Sequence, residues 1–574
     1  MTREKSKIIR ASYIFICHFA FSILIFVFTG SVHAFNSSPP NNKFGIHLAQ
    51  PEEHDIQRAS DLVNSTGGRW GYVTLVMQEN DRDRNKWQNV FNQLRKYHLI
   101  PIIRLATRAE GPHWKRPSKD EAGEWAYFLS SLTWVVKDRY IVLFNEPNHG
   151  SEWGGSVDAV GYAEVAQAFA KALKEKDKNF FVMLAGLDAA APSSAPAYAD
   201  EATFIGDLLN AQPDIFQYID GWASHSYPNP GYQGTPDDRG RNTVRNYEWE
   251  LDLLKNLGVN QDLPVFITEA GWPHINLSPE TVGSYIVGSF ENIWLPDDRV
   301  RAVTPFVLNY QGEPFAAFSW IRPGGEEVYS HYTQVQGAAK IAGDPEIIHG
   351  GSISFFRPKE LLIRSTYHFQ LLLKNTGEGL WDKDDDYILK LEGLDDKRYF
   401  FSDISDLGPG SERIVDLYLK TDSQAGNQNL KIVLYKKDKK IIDGGIWNFQ
   451  KLPLPSLDVH LSFFPKITPQ DGIVEIQIFD QNEELVYKKR EVGIRKNQGK
   501  IDEIANITLE EKYRIVVLRP YYLPRQALVT FKKGKNSLTF KSMVPLDFNR
   551  DGKFSWSDVG EIIKYPKLLW IVSP

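Results

Sequence analysis

Apolar residues follow two rhythms in this chain, and the change between them falls near residue 345. From Phe44 to Pro345, short apolar runs alternate with stretches in which apolar residues recur at helical spacing. The runs are FGIHLAQ (44–50), RWGYVTLVM (69–77), LIPIIRLAT (99–107), YIVLFNEP (140–147), FFVMLAGLD (180–188), IDGWASHSYP (219–228), PVFITEAGW (264–272) and VRAVTPFVLN (300–309). Segments such as NKWQNVFNQLRKYH and VAQAFAKALKEK lie between them. Continuous apolar runs suit strands buried on both faces, and the intervening pattern suits amphipathic helices. Eight strands alternating with helices predict an α/β fold, a (β/α)8 TIM barrel over 44–345, better than an open doubly wound sheet. No glycine-rich phosphate loop follows the first run, which speaks against a dinucleotide site.

Beyond Pro345 the helical spacing gives way to short β-type runs between polar turns, as in YHFQLLLKNTGEGLW (367–381) and NLKIVLYKKDKKII (429–442). These predict an antiparallel β-sandwich over 346–453. The stretch KLPLPSL (451–457), with its two prolines, reads as a linker. A second β-sandwich module is expected over 454–542, from DGIVEIQIFD, KYRIVVLRP and QALVTFKKGKNSLTF. A short helical segment over 543–574 ends the sequence.

Composition narrows the function classes. At 574 residues the chain is expected to hold several domains, and a net charge of −6 without a basic cluster speaks against a nucleic-acid partner. Aromatic residues make up 13%, with 15 tryptophans, which composition alone assigns to core filling ahead of sugar-stacking platforms. The N-terminus carries Arg3, Lys5, Lys7 and Arg10, then a nearly unbroken apolar run over Tyr13–Thr29, then Val32-His33-Ala34. That is the plan of a secretory signal peptide over 1–34, which predicts a secreted or cell-surface protein. An uncleaved membrane anchor is the alternative reading of the same run. The single cysteine, Cys17, lies inside it, so the expected mature chain has neither a disulfide nor thiolate chemistry.

Parallel barrels place their chemistry at the C-terminal ends of the strands. Reactive side chains do cluster there: Arg104 on the third, Asn145-Glu146 on the fourth, His225-Ser226-Tyr227 on the sixth, Thr268-Glu269 on the seventh. Glutamates on strands four and seven of a closed eight-strand ring can face each other across the pocket. Paired carboxyl groups across a cleft are what cleavage of a glycosidic bond requires, one to protonate the leaving oxygen and one to attack or to activate water. Their roles divide when the surroundings push the two pKa values apart, and Tyr227 and Arg104 stand where they can keep Glu269 ionised. His47, His149 and His274 are further pocket candidates, but no two are spaced as metal ligands, which disfavours a metal-dependent hydrolase.

FNEP (144–147) and VFITEAGW (265–272), with His225-Ser226-Tyr227 between them, resemble the two signatures of glycoside hydrolase clan A. These are retaining (β/α)8 enzymes that include cellulases, mannanases and xylosidases. The resemblance covers the barrel only. It implies Glu146 as acid/base, Glu269 as nucleophile, Asn145 as ligand of the sugar 2-hydroxyl, Tyr227 as holder of the nucleophile and His225 beside them. It also implies a poly- or oligosaccharide substrate and no cofactor for catalysis. Trp272 follows the nucleophile, and the clan's tryptophan near the end of strand eight makes Trp320 the expected sugar platform, with core packing as its alternative.

KNTGEGLW (374–381) resembles the N-x-G…W pattern of immunoglobulin-like modules beside bacterial extracellular enzymes, where a spacer role is expected. In DFNRDGKFSWSD, Asp547, Asn549, Asp551, Gly552, Ser555 and Asp558 hold positions 1, 3, 5, 6, 9 and 12 of a calcium loop, with the Lys553 carbonyl at position 7. Aspartate at the last position, where the EF-hand pattern has glutamate, resembles the loops of dockerin modules. The chain carries one such loop where a full dockerin has two, so Ca2+ binding is the expectation and a cohesin-like or cell-surface partner the weaker one.

Taken together the sequence predicts an exported retaining β-glycosidase working by double displacement. Two alternatives stay open: a transglycosylase using the same site, and a non-catalytic carbohydrate-binding or cell-surface protein on a barrel scaffold.

Overall fold

A computed structural model describes residues 40–464 and 471–572. The expected signal segment and Cys17 lie outside the described residues. Among those described, no helix is long and apolar enough to cross a membrane. The chain divides into two compact units between Glu346 and Ile347.

The first unit is a closed parallel barrel. Its strands are β1 (Gly45–Leu48), β2 (Gly71–Gln78), β3 (Leu99–Ala106), β4 (Arg139–Leu143), β5 (Phe180–Leu184), β6 (Trp222–His225), β7 (Val265–Glu269) and β8 (Val300–Val303). Strands β1 to β5 pair in sequence order, as do β6 to β8, all parallel. Bridges Met183–Gly221 and Phe44–Val303 join the two arcs and close the ring. The helices α1 (Glu53–Val63), α2 (Arg84–Lys96), α3 (Ala122–Ser130), α4 (Ala159–Lys176), α5 (Glu201–Ala211), α6 (Asn246–Asn256), α7 (Pro279–Ser289) and α8 (Ser330–Gly337) follow the strands in turn. Strands such as GIHL are buried throughout because helices cover one face and the barrel interior the other.

Local chemistry sets where the helices begin. Asp83, Asp158 and Asp200 each accept a hydrogen bond from the exposed backbone N–H groups of the helix that follows, and Ser278 does so ahead of Pro279 at the first turn of α7. Such a cap contributes about 1 kcal/mol and fixes where each βα loop must end.

The second unit is built from four antiparallel or mixed sheets. In its first half, β9 (Gly351–Ser354), β11 (Thr366–Asn375), β13 (Tyr399–Phe401) and β14 (Glu412–Lys420) form one sheet. The strands β10 (Glu360–Leu362), β12 (Tyr387–Glu392), β15 (Gly426–Lys436) and β16 (Lys439–Leu452) form the other, and both contribute to one core around Trp381 and Trp447. Trp381, the tryptophan of KNTGEGLW, is fully buried there. In the second half, β17 (Ser456–His460), β20 (Gln498–Ile501) and β23 (Lys535–Thr539) form one sheet. It shares a second core with the sheet of β18 (Gly472–Phe479), β19 (Leu485–Ile494), β21 (Lys512–Arg519) and β22 (Tyr522–Thr530). Helices α9 (Trp556–Lys564) and α10 (Leu568–Val572) follow.

Candidate functional site

Strand β4 ends at Leu143, earlier than its apolar pattern suggests, because the next residues leave the extended region. Phe144 has φ 76° and Glu146 φ 30°, left-handed values that non-glycine residues avoid. The surroundings hold this strained turn in place: Phe144 is buried against Trp153 and Phe169, and Glu146 N donates to Gly186 O at 3.2 Å. The result is a glutamate delivered to the barrel mouth on a backbone that cannot swing freely.

Glu269, the last residue of β7, faces it. One carboxylate oxygen of each glutamate and one ring nitrogen of His225 lie within 4.8 Å of one another. His225 Nδ1 lies 2.8 Å from Glu146 Oε1 and 3.9 Å from Glu269 Oε2. Room for its imidazole exists because residue 186 is glycine: a Cβ there would lie 2.2 Å from His225 Cδ2. Tyr227 donates to Glu269 Oε2 at 3.0 Å. Arg104 Nη1 donates both to Glu269 Oε1 and to Asn145 Oδ1, each at 2.5 Å. Behind them His47 Nε2 stands 3.9 Å from Glu269 Oε1.

This arrangement treats the two glutamates differently. Burial would raise the Glu269 pKa, but His225, Arg104, His47 and the Tyr227 hydroxyl outweigh it and hold the carboxyl at about 2. Glu269 is therefore a carboxylate at any ordinary pH. For His225 burial works downward, yet the charges of Glu269 and Glu146 and the hydrogen bond to Glu146 raise its pKa overall. His47 is pushed down to about 3 by burial and by Arg104, and stays neutral. Burial and the nearby carboxylates raise Tyr227, which keeps its proton and so remains a donor. Glu146 has His225 as its hydrogen-bond partner and no arginine of its own among the described residues.

Glu146, His225 and Glu269 also have the composition of a metal-ligand set. Each oxygen of Glu269 already accepts from one donor, Arg104 at Oε1 and Tyr227 at Oε2, and a cation there would share those oxygens with a guanidinium and a phenol.

The cavity over these groups has a volume of about 220 Å³ and is lined by Arg104, Asn145, Glu146, Tyr227 and Glu269. Its walls are aromatic: Trp114, Trp153, Tyr232, Phe306, Phe315 and Phe318. Trp272, Trp320, His47, His149, His225 and His274 are not among its lining residues. Trp320 does not line the cavity; it is buried edge-on to His331 at 5.1 Å, which is the core-packing alternative. Strand β8 stops at Val303, and the aromatic rings that reach the cavity from beyond it are Phe306, Phe315 and Phe318. Trp272 is also outside the lining; its indole N–H donates to Gly234 O at 2.7 Å and clamps the loop that presents Tyr232. His149 pairs with Asp188 at 2.8 Å, and His274 packs on Tyr329, both away from the cavity lining. Sequence reading missed Tyr232, Phe306 and a third carboxyl group in the lining, that of Glu152.

In the C-terminal loop, Asp547 accepts from Gly552 N, Asn549 Oδ1 from Asp551 N and Asp551 Oδ1 from Lys553 N. Asp558 accepts at Oδ1 from Phe548 N and Asn549 N, and at Oδ2 from Ser555 N. Asp547, Asn549, Asp551 and Asp558 thus each already hold a backbone donor, and among the described residues the loop's carboxylates do not gather into a group of three possible metal ligands.

No protein-family model and no curated protein matches the sequence. Among solved structures the chain is similar to an endo-β-1,4-glucanase from Xanthomonas axonopodis pv. citri, at 12% identity and a TM-score of 0.37, over 51% of this chain and 98% of that one. A β-mannanase from Thermomonospora fusca matches at 14% identity and a TM-score of 0.34, over 52% and 91% of the two chains. A glucosidase from Croceicoccus marinus covers 82% of this chain and 95% of its own, at 12% identity and a TM-score of 0.39. Likenesses of this depth carry no weight for the reaction, which has to be read from the side chains.

Proposed function

We propose that the protein is a retaining β-glycoside hydrolase acting on a poly- or oligosaccharide. The observation that carries this reading is the unlike pair of close carboxyl groups: Glu269 held ionised by Arg104, Tyr227 and His225, and Glu146 hydrogen-bonded through its carboxyl group to His225. Double displacement needs carboxyl groups about 5–5.5 Å apart, whereas inversion needs about 6.5–9.5 Å to admit a water. A closest approach within 4.8 Å favours the first.

In the reaction Glu269 attacks the anomeric carbon while Glu146 passes its proton to the departing oxygen. The glycosyl-enzyme ester then loses its sugar to a water deprotonated by Glu146. Tyr227 and Arg104 hold the Glu269 oxygens before attack and release them as its charge disappears into the ester bond. His225 lies against both carboxyl groups, 2.8 Å from Glu146 Oε1 and 3.9 Å from Glu269 Oε2. The aromatic walls offer apolar faces to the C–H faces of a sugar ring.

The same reading assigns residues 1–34 to export and the 547–558 loop to Ca2+. It assigns α9, with Trp556 88% and Ile563 74% exposed, to a cohesin-like or cell-surface partner. The catalytic part is tested on a broad glycan and aryl-glycoside panel with the wild type and Glu269→Gln. The wild type is expected to cleave at least one β-glycoside and the variant to lose about 10⁴-fold in kcat. Full activity in the variant would remove the assignment.

A further inference from the structure

The loop that follows β6 carries a tyrosine to the rim of the cavity and is tied down on three sides. Asn229 N donates to Asn242 O at 2.9 Å and Gly234 N to Pro228 O at 3.0 Å, so the chain folds back on itself. Arg241 Nη2 donates to Asp200 Oδ2 at 2.6 Å and its Nε to Ala189 O at 3.0 Å, which fixes the returning limb to the loop after β5. On the third side the Trp272 indole N–H reaches Gly234 O at 2.7 Å. Trp272 stands three residues beyond Glu269, buried and edge-on to Tyr285 of α7 at 5.4 Å. The strand that presents the attacking carboxylate therefore also holds this loop.

Tyr232 has φ 58°, next to Gly231 at 66°, left-handed values that a tyrosine disfavours. Such a residue persists where its surroundings over-determine it, and here they are rings. Tyr232 lies edge-on to Tyr227 at 5.2 Å and to Phe318 at 5.2 Å, and Tyr227 lies 6.1 Å from Phe318. Tyr227 in turn donates to Glu269, so the rim ring is braced on the residue that holds the attacking group. Among the aromatic residues of the cavity lining, Tyr232 and Phe315 are the exposed ones, at 36% and 41%, and they mark its mouth. The Tyr232 hydroxyl has no hydrogen-bond partner among the described residues. A rigidly held ring with a free hydroxyl suits a pyranose, whose C–H face stacks on the ring and whose hydroxyls can pair with the phenol. Because the ring is already in place, little ordering is spent when a ligand arrives.

We propose that Tyr232 binds the sugar unit next to the one being attacked, so that the substrate is a β-linked chain of at least two sugars. The proposal rests on the glycosidase reading above. Its test uses the β-glycosyl fluoride of one sugar unit, which has no aglycone ring, and β-linked oligosaccharides of two to six units of the same sugar. The quantity read is the ratio of kcat/KM on the best oligosaccharide to kcat/KM on the fluoride. Tyr232→Asn removes the ring but tolerates the left-handed backbone, and is expected to lower that ratio about tenfold. Tyr232→Phe, which keeps the ring, is expected to retain most of it. The acid limb of the kcat/KM profile should not move in Tyr232→Asn, because Tyr227 still donates to Glu269. An unchanged ratio in Tyr232→Asn, equal losses on every substrate, or an acid limb displaced to higher pH would overturn the proposal. A wild type inactive on every glycoside would instead remove the glycosidase reading; an active wild type whose ratio survives in Tyr232→Asn removes only this inference.

Discussion

The barrel has a cavity at each end, and the larger one is not the one over Glu146 and Glu269. At the N-terminal ends of the strands about 380 Å³ is enclosed by Tyr72, Tyr140, Phe181 and Phe266, with Arg301 and Asp138 among the lining; at the C-terminal ends the volume is about 220 Å³. The lower rings pack on one another: Phe266 lies 5.0 Å from Tyr140, 5.4 Å from Phe181 and 6.3 Å from Tyr72. That end is a hydrophobic plug with a dent in it. The upper end takes one charged or polar group from each of several strands, and each constrains the next: Arg104 with Asn145 and Glu269, Tyr227 with Glu269, His225 with Glu146. Room does not make a reactive site; interlocked charges from separate strands do.

The comparison breaks most visibly if the upper end does not behave as a pair with divided labour. Glu146→Gln is expected to lose about 10³-fold in kcat/KM on glycosides with poor leaving groups and far less on 2,4-dinitrophenyl glycosides, which depart without a proton. Uniform loss across leaving groups, measured by steady-state kinetics, would deny Glu146 the acid role. Next comes Tyr227→Phe, which withdraws one donor from Glu269. The Glu269 pKa, about 2 in the intact site, then rises, so the acid limb of the kcat/KM profile moves to higher pH. The loss at neutral pH is expected to be about tenfold. The sign follows from the group being active as a carboxylate: whatever raises its pKa shrinks the pH range in which it can attack.

At the lower end the expected effects change kind. Phe266→Ala removes a buried ring and is expected to destabilise the unit by about 3–5 kcal/mol, read by denaturant unfolding. The kcat of the molecules that remain folded should stay within about twofold of wild type. A large loss of kcat there, without loss of stability, would show that the lower end takes part in the reaction.

Much of this was legible in the sequence, for a physical reason. The strands of a parallel barrel are apolar on both faces, so all eight stand out as runs, and residues that break those runs at their ends, Asn145, Glu146, Tyr227 and Glu269 among them, line the cavity. FNEP and TEAGW lay where the pattern stopped. What periodicity cannot show is backbone direction. The runs 140–147 and 300–309 extend past the true ends of β4 and β8, because left-handed φ at Phe144 and the chain's departure after Val303 leave apolar spacing intact. Trp320 was expected as a platform from the clan resemblance, with core packing as its alternative, whereas Phe306, inside the 300–309 run, is a ring that lines the cavity. Glu152 was hidden for a related reason: a 3-10 turn of Gly, Ser and Glu looks like any solvated loop until the burial of Trp153 shows which way it faces.

The central claim is that Glu269 becomes covalently bonded to the sugar. It is tested most directly by incubating the protein with an activated 2-deoxy-2-fluoro derivative of its preferred β-glycoside, digesting it, and locating the added mass on the peptides. A single glycosyl adduct on Glu269 is the predicted result. An adduct on Glu146, or none from a reagent that the protein binds and slowly hydrolyses, would contradict it.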